Sequence, residues 1–189
     1  MTDRDLAYKL LKQYVSNRNL IKHCLAVEAI MGEIASDLNN QGKDYQVKKW
    51  KIAGLVHDID YDQTADDPHV HSLKGAEILE NEGFSPDIVY AVKVHNQMHG
   101  FALKTDMDIA LYASDLLSGL IVASALISPE KKLKSIDARF VINRFGEKSF
   151  ARGADRSQIK ESSRLGFSLE QFVGIGLGAM QEIDKQLGL

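Results

Sequence analysis

Residues 52–58 read Ile52-Ala53-Gly54-Leu55-Val56-His57-Asp58, an apolar run that leads directly into a histidine and an aspartate. The apolar run predicts a buried helix, and the pair is expected on its last turn, where the helix leaves the core. Imidazole nitrogen and carboxylate oxygen are ligands that borderline divalent cations accept. Neighbouring side chains on a helix point about 100° apart. His57 and Asp58 can therefore hold one ion only where the helix ends or where other elements close around them.

On both sides of this stretch, apolar residues recur with the period of a helix. The pattern predicts amphipathic helices over residues 6–15, 20–34, 47–56, 73–79, 88–94 and 105–126, and a last one over 169–183. Ser168 opens the last helix with a capping box. Ser85-Pro86-Asp87 and Ser128-Pro129-Glu130 both have the form of a helix start. Residues 60–68 and 144–157 are predicted loops. Because alternation typical of strands is missing, the sequence predicts an all-α protein.

With 189 residues, 44% of them apolar, the chain is predicted to form one compact helical bundle over residues 1–189. Its core is expected over about 16–127, with a helical extension over about 128–189. The formal charge of −3 argues against nucleic acid as a partner. The single cysteine, Cys24, suits a reducing cytoplasm and is predicted to be buried and structural. No stretch resembles a signal peptide or approaches the length of a membrane span, so a cytoplasmic protein without membrane contact is expected.

Four further positions carry ligand chemistry, although three of them also have ordinary interpretations. His23 suits a helix boundary, His71 a loop before a helix, and His95 a helix end where the dipole favours a cation. Asp115 is different because it lies inside an apolar run, where an unpaired buried carboxylate is costly. It needs a cation or strong hydrogen-bond donors. The remaining loop histidines, His69 and His99, fit no ligand pattern and are assigned to the surface.

In chain order, His23, His57-Asp58 and Asp115 resemble the H…HD…D signature of the HD superfamily of metal-dependent phosphohydrolases. His71 with its following glycine and alanine resembles the H-x-x-x-G-A element of the family, and His95 resembles its later histidine at a helix end. The match is closest to small stand-alone bacterial HDIG-type proteins. One departure is Asp60, which stands where the HDIG form has glycine. A second is Tyr61, where some relatives have lysine.

The resemblance implies an HD-domain bundle that binds one or two ions, and the sequence leaves the number open. By resemblance, one divalent transition metal ion is bound by His23, His57, Asp58 and Asp115. A second is bound by His71 and His95, with Asp58 as the bridge, and His57 and Asp58 form the catalytic centre. Imidazole ligands suit Mn, Fe, Co, Ni or Zn better than Mg alone. Asp60 is predicted to orient a ligand, with capping of a loop as the alternative.

A phosphorylated substrate needs positive partners besides the metal. The candidates for substrate binding are Lys74, Arg144, Lys148 and Arg152, with Arg156 in the same basic segment. The alternative for each is a solvated surface charge or a contact with a partner. No glycine-rich phosphate loop occurs, which argues against P-loop chemistry.

The expected function is metal-dependent hydrolysis of a nucleotide or another small phosphate ester or anhydride by metal-activated water. Two alternatives stay open. One is a mixed-valence di-iron oxygenase with the same order of ligands, and the other is a catalytically silent nucleotide-binding regulatory module. The final helix, which carries Gly174, Gly176 and Gly178, is expected either to seal the core or to pair with a second copy in a homodimer.

Overall fold

A computed structural model describes residues 3–147 and 149–189, and within them the fold consists of helices without strands. The predicted all-α class is therefore confirmed. The α-helices are α1 (Asp3–Tyr14), α2 (Arg18–Asn40), α3 (Val47–Val56), α4 (Tyr61–Thr64), α5 (Leu73–Asn81), α6 (Pro86–Val94), α7 (Asp106–Ile127), α8 (Ala138–Gly146), α9 (Arg156–Lys160), α10 (Leu169–Glu182) and α11 (Asp184–Leu187). Short 3-10 helices span Gln97–His99, Leu133–Ser135 and Glu161–Leu165.

The centre of the bundle is the packing of α2 against α3 and α7. Gly54 makes the α2–α3 approach possible, because a Cβ there would lie 2.7 Å from the carbonyl oxygen of Val27. On α10, Gly176 packs in the same way, where a Cβ would lie 2.7 Å from a methyl carbon of Leu117. The final helix thus seals the core on its Gly176 side, while Gly174 and Gly178 have open space around them.

The short helix α4 is tied to the start of α2. The Asp62 carboxylate accepts hydrogen bonds from the backbone nitrogen of Ser16 (2.6 Å), from its hydroxyl (2.8 Å) and from the nitrogen of Asn17 (3.2 Å). The Ser16 backbone N–H contributes most to lowering the pKa of Asp62. Asn17 in turn caps α2 by accepting from the nitrogen of Asn19 (2.9 Å). The chain that follows His57-Asp58 is thereby held against the helix that carries His23.

The predicted helix start at Ser128 is wrong. Ser128 ends α7, and its hydroxyl donates to the carbonyl oxygen of Ala125 (2.7 Å) instead of capping a new helix. The next regular segment is the short 3-10 helix that begins at Leu133, and α8 is capped by Asp137, whose side chain accepts from Phe140 N (2.8 Å). A serine before proline can end a helix as readily as it can begin one.

The predicted loop 144–157 is also shorter than expected. Arg144 lies inside α8, and Arg156 begins α9. The Arg156 guanidinium is turned inward, donating to the carbonyl oxygens of Ala151 (2.8 Å), Phe150 (2.7 Å) and Ala154 (2.5 Å). Arg156 therefore stabilises the loop. The expectation that its guanidinium is free to bind a phosphate is wrong.

Among the described residues, α7 is the one helix long and apolar enough to cross a membrane by composition. In the most apolar part of α7, 61% of the helix is buried inside the bundle, so α7 is a core helix of this fold. Cys24 is fully buried, as predicted, and burial raises the pKa of its thiol.

Candidate metal centre

Five segments of the fold bring the predicted ligand residues to one place. His23 lies on α2 and Asp115 on α7. His57 and Asp58 directly follow α3, and His95 directly follows α6. His71 lies in the turn before α5. The cluster consists of His23, His57, Asp58, His71, His95 and Asp115. In each of three triads drawn from it, ligand atoms lie within 4.8 Å of one another.

Asp58 presents its two carboxylate oxygens to different histidines. Asp58 Oδ2 lies 3.5 Å from His23 Nε2 and 3.4 Å from His57 Nε2. Asp58 Oδ1 lies 3.4 Å from His71 Nε2 and 3.4 Å from His95 Nε2. Asp115 Oδ1 joins the first group, 3.1 Å from His23 Nε2. The cluster therefore has two halves that share one carboxylate.

The Nδ1 atoms of the histidines are already engaged, which leaves Nε2 to face the centre. His57 Nδ1 donates to Gly54 O (2.8 Å), and His95 Nδ1 donates to Val92 O (2.6 Å). His23 Nδ1 donates to the Ser118 hydroxyl (2.9 Å), which itself donates to Asp115 O (2.8 Å). His95 Nε2 is buried and has no hydrogen-bond partner among the described residues. Metal-binding imidazoles have Nδ1 held by a hydrogen bond and Nε2 turned toward the ion, and these residues have that arrangement, so they could hold metal ions.

Asp60 is fully buried beside the second half of the cluster. Its Oδ1 accepts from His71 Nδ1 (3.2 Å), and its Oδ2 accepts from Ser72 N (2.9 Å). Asp60 precedes α4, but its side chain makes no capping hydrogen bond to that helix. Gly75 allows this placement, because a Cβ there would lie 3.0 Å from Asp60 Oδ1. The glycine of the H-x-x-x-G-A element thus leaves room for the carboxylate.

The electrostatics of the cluster favour positive charge. Burial opposes a charge on His57, but the Asp58 and Asp115 carboxylates outweigh it and raise the pKa of His57 to about 9. Burial also opposes ionisation of Asp115, yet hydrogen bonds from His23 and His57 hold its pKa well below the ordinary range. The pKa of Asp58 is lowered against burial, mainly by His57 and His95. Two ionised carboxylates in a buried site attract a cation.

The predicted substrate-binding residues take no part in the hydrogen bonds of the His and Asp cluster. Lys74 is half-buried on the first turn of α5, three residues after His71. Arg144 pairs with Glu147 (2.7 Å) on α8, and Arg152 is exposed. Lys148 lies outside the described residues. Among those described, no hydrogen bond or ion pair joins these basic side chains to the cluster.

The assignment of His99 to the free surface is wrong, whereas His69 is exposed as expected. His99 is half-buried, and its Nε2 donates to His71 O (2.8 Å). Sequence reasoning also missed Ser118, Ser72 and Asn96, which contact the ligand residues or their backbone. Their positions carried a weak signal, since Ser118 lies one helical turn after Asp115, and the other two directly follow His71 and His95.

A cavity of about 370 Å³ lies between the loop after His95 and the C-terminal segment, and none of the six cluster residues lines it. Tyr112, one turn before Asp115 on α7, forms part of its wall together with Phe101, Gln97, Gln158 and Arg164. Gln158 is buried, and its Nε2 donates to Tyr112 O (2.8 Å). The cavity combines aromatic rings with amide groups.

Comparison with known proteins agrees with this geometry. The model of the HD domain family matches residues 20–136. Ribonuclease Y of Nitratidesulfovibrio vulgaris is 35% identical over 105 residues, covering 54% of this chain and 18% of the relative. Ribonuclease Y of Lawsonia intracellularis is 31% identical over 120 residues, covering 64% and 22%. An uncharacterised protein of Methanocaldococcus jannaschii is 34% identical over 89 residues, covering 47% and 51%.

The matched part is thus about a fifth of the ribonucleases and half of the archaeal protein. No solved structure matches significantly. The family model covers more than half of the chain and includes every residue of the His and Asp cluster. The chain therefore belongs to the HD domain family, a superfamily of metal-dependent phosphohydrolases.

Proposed function

We propose that this chain is a metal-dependent phosphohydrolase that acts on a nucleotide or another small phosphate ester or anhydride. The observation that carries the proposal is Asp58, whose two oxygens face two separate pairs of histidine Nε2 atoms. A carboxylate in that position suits the bridge of a two-ion site. His23, His57 and Asp115 complete one half, and His71 and His95 complete the other.

The donor set fits borderline transition metals, because four imidazoles and two carboxylates mix nitrogen with oxygen. Bound there, such ions lower the pKa of a water molecule and polarise a phosphoryl group. The residues of the chain orient the site: Ser118 and Gly54 hold the imidazoles of the first half, and Asp60 and Val92 hold those of the second. Two divalent ions against two carboxylates leave a positive excess that favours a phosphate anion.

The substrate reaches the cluster from the side of His23 and Asp115. Their side chains are 23% and 19% exposed, whereas that of His57 is fully buried. Lys74 and Arg152 are the basic groups that we assign to phosphate oxygens, because neither forms an ion pair within the described residues. Arg144 is already paired with Glu147, so its contribution is the weaker one.

The cavity that includes Tyr112 supports a substrate with a flat organic part. Its aromatic rings and amides are groups on which a nucleobase can stack and form hydrogen bonds. Along α7, Tyr112 precedes Asp115 by about 4.5 Å of helical rise. A base in the cavity would leave its phosphate near the cluster. The ribonuclease names of the bacterial relatives are consistent with chemistry at a phosphate ester.

The test uses full-length protein, stripped of metal and reloaded separately with Mn, Fe, Co, Ni, Zn or Mg. Nucleotides and bis(p-nitrophenyl) phosphate are then screened for hydrolysis. We expect turnover with at least one transition metal, its loss in Asp58→Ala, and wild-type rates in Asp66→Ala, an exposed acid of the neighbouring loop. Oxygen consumption by the iron form without phosphate release would instead support the oxygenase, and ion binding without either reaction would contradict the proposal.

A further inference from the structure

We propose that Asn96 and His99 are positioning residues that set the affinity of the second ion by holding the backbone of His71. This inference rests on the two-ion site of the proposed function. According to this inference, the affinity of the ion held by His71 and His95 depends on the loop that follows α6. The affinity of the other ion does not.

The loop grips one carbonyl group from two sides. His99 Nε2 donates to His71 O at 2.8 Å, and Asn96 Nδ2 donates to the same oxygen at 3.2 Å. Asn96 Nδ2 also donates to Pro68 O (2.8 Å), and its Oδ1 accepts from Met98 N (3.0 Å). Both hydrogens and the oxygen of the Asn96 amide are therefore used to join residues 68–71 to the loop after His95.

His71 needs this support because it lies in a turn and not on a helix. The next residue, Ser72, has φ of 71° and ψ of −34°, a backbone conformation that residues other than glycine rarely adopt. Ser72 is held there by its N–H to Asp60 Oδ2 (2.9 Å) and its hydroxyl to Lys93 O (3.0 Å). The bonds to Lys93, Asn96 and His99 all connect the His71 turn to the end of α6, which carries His95.

The first half of the cluster has no such dependence among the described contacts. His23 lies within α2 and His57 directly follows α3, and their Nδ1 atoms bond to Ser118 on α7 and Gly54 on α3. Those helices form the centre of the bundle. A change in the loop of Asn96 and His99 therefore alters the spacing of His71 and His95 while His23 and His57 stay in place.

The experiment is a calorimetric titration of metal-stripped, full-length protein with Mn²⁺. In His99→Phe, which keeps a ring beside Phe101 but loses the donor, we expect the second dissociation constant to rise about tenfold, the effect typical of partners of metal ligands. The first dissociation constant stays within about twofold. Asn96→Ala gives the same pattern, and His99→Gln, which retains an N–H donor, restores part of the affinity.

The matched control is His69→Phe, which removes an exposed imidazole from the neighbouring turn and leaves both constants unchanged. The inference would be overturned if the second dissociation constant of His99→Phe and of Asn96→Ala stayed within twofold of wild type. An equal weakening of both ion sites would overturn it as well. Uptake of a single ion by wild type would overturn it together with the two-ion site. Two ions without phosphate hydrolysis would refute the proposed activity alone.

Discussion

At the scale of single residues, the histidines of the cluster are oriented by the hydrogen-bond partners of their Nδ1 atoms, which lie on the side of each ring away from the centre. His57 and His95 each donate from Nδ1 to the carbonyl three residues earlier, Gly54 O and Val92 O. Both histidines directly follow a helix, where those carbonyls are free of helical partners. The placement of a histidine one residue past a helix therefore fixes which ring nitrogen faces the cluster as well as the position of the ring.

Ser118 gives a direct test of this organisation. Ser118→Ala leaves His23 Nδ1 without its acceptor, and we expect the affinity of the first ion to fall about ten- to hundredfold while the second changes little. Calorimetric titration of stripped protein measures both. Ser124→Ala, which removes a hydroxyl bonded to Leu120 O on the same helix, is the control. Unchanged binding of the first ion in Ser118→Ala would contradict the role of the hydroxyl.

The six candidate ligand residues could be chosen from their order in the sequence, and the structure brings them together, while their binding of metal stays a prediction. Ser118, Asn96 and His99 could not, because hydrogen bonds to residues far along the chain decide their roles. His23 and Ser118 are 95 positions apart, and His99 and His71 are 28 apart. A pattern of residue types carries no information on such a contact until the helices are packed.

At the scale of elements, the approach of α2 and α3 positions His57 against His23. Gly54→Ala places a Cβ against the backbone of Val27 and Glu28, which cannot move as a flexible side chain can. We expect unfolding to become easier by about 1–3 kcal/mol, the range for overpacked cores. Urea unfolding measures the change.

Gly119 on the exposed face of α7 is the matched control, because a Cβ there meets no atom within 4 Å. Gly119→Ala should stabilise the protein by about 0.5–1 kcal/mol through helix propensity alone. Equal effects of the two substitutions would show that the α2–α3 approach is not tight.

The tie between α4 and α2 predicts a dependence on pH. The pKa of Asp62 is lowered in the folded protein, so its charge stabilises the fold above the unfolded pKa of about 3.9 and this contribution is lost as the pH falls through the folded value. Asp62→Asn should therefore be less stable than wild type near pH 7. The difference should close as the pH falls through the lowered pKa of Asp62 in the folded protein. Urea unfolding over a pH series measures it, and a constant difference at every pH would contradict the assignment.

At the scale of the whole molecule, the helices could be predicted from periodicity up to the end of α7 and again at α10, but the segment between them could not. Ser128 illustrates the reason, since the same triplet suits the end of one helix and the start of another. Arg156 illustrates a second, since its guanidinium binds carbonyls of its own loop and is not presented to solvent. Local composition did not distinguish these outcomes.

The fold as a whole serves to bring five separate segments to one shared carboxylate, Asp58. Ion stoichiometry and affinity of stripped and reloaded protein, measured by mass spectrometry and calorimetry for wild type and Asp58→Ala, test this most directly. We predict two ions per chain in wild type and at least about tenfold weaker binding at both sites in Asp58→Ala. Asp58→Ala protein that binds ions with the number and affinity of wild type would contradict the account.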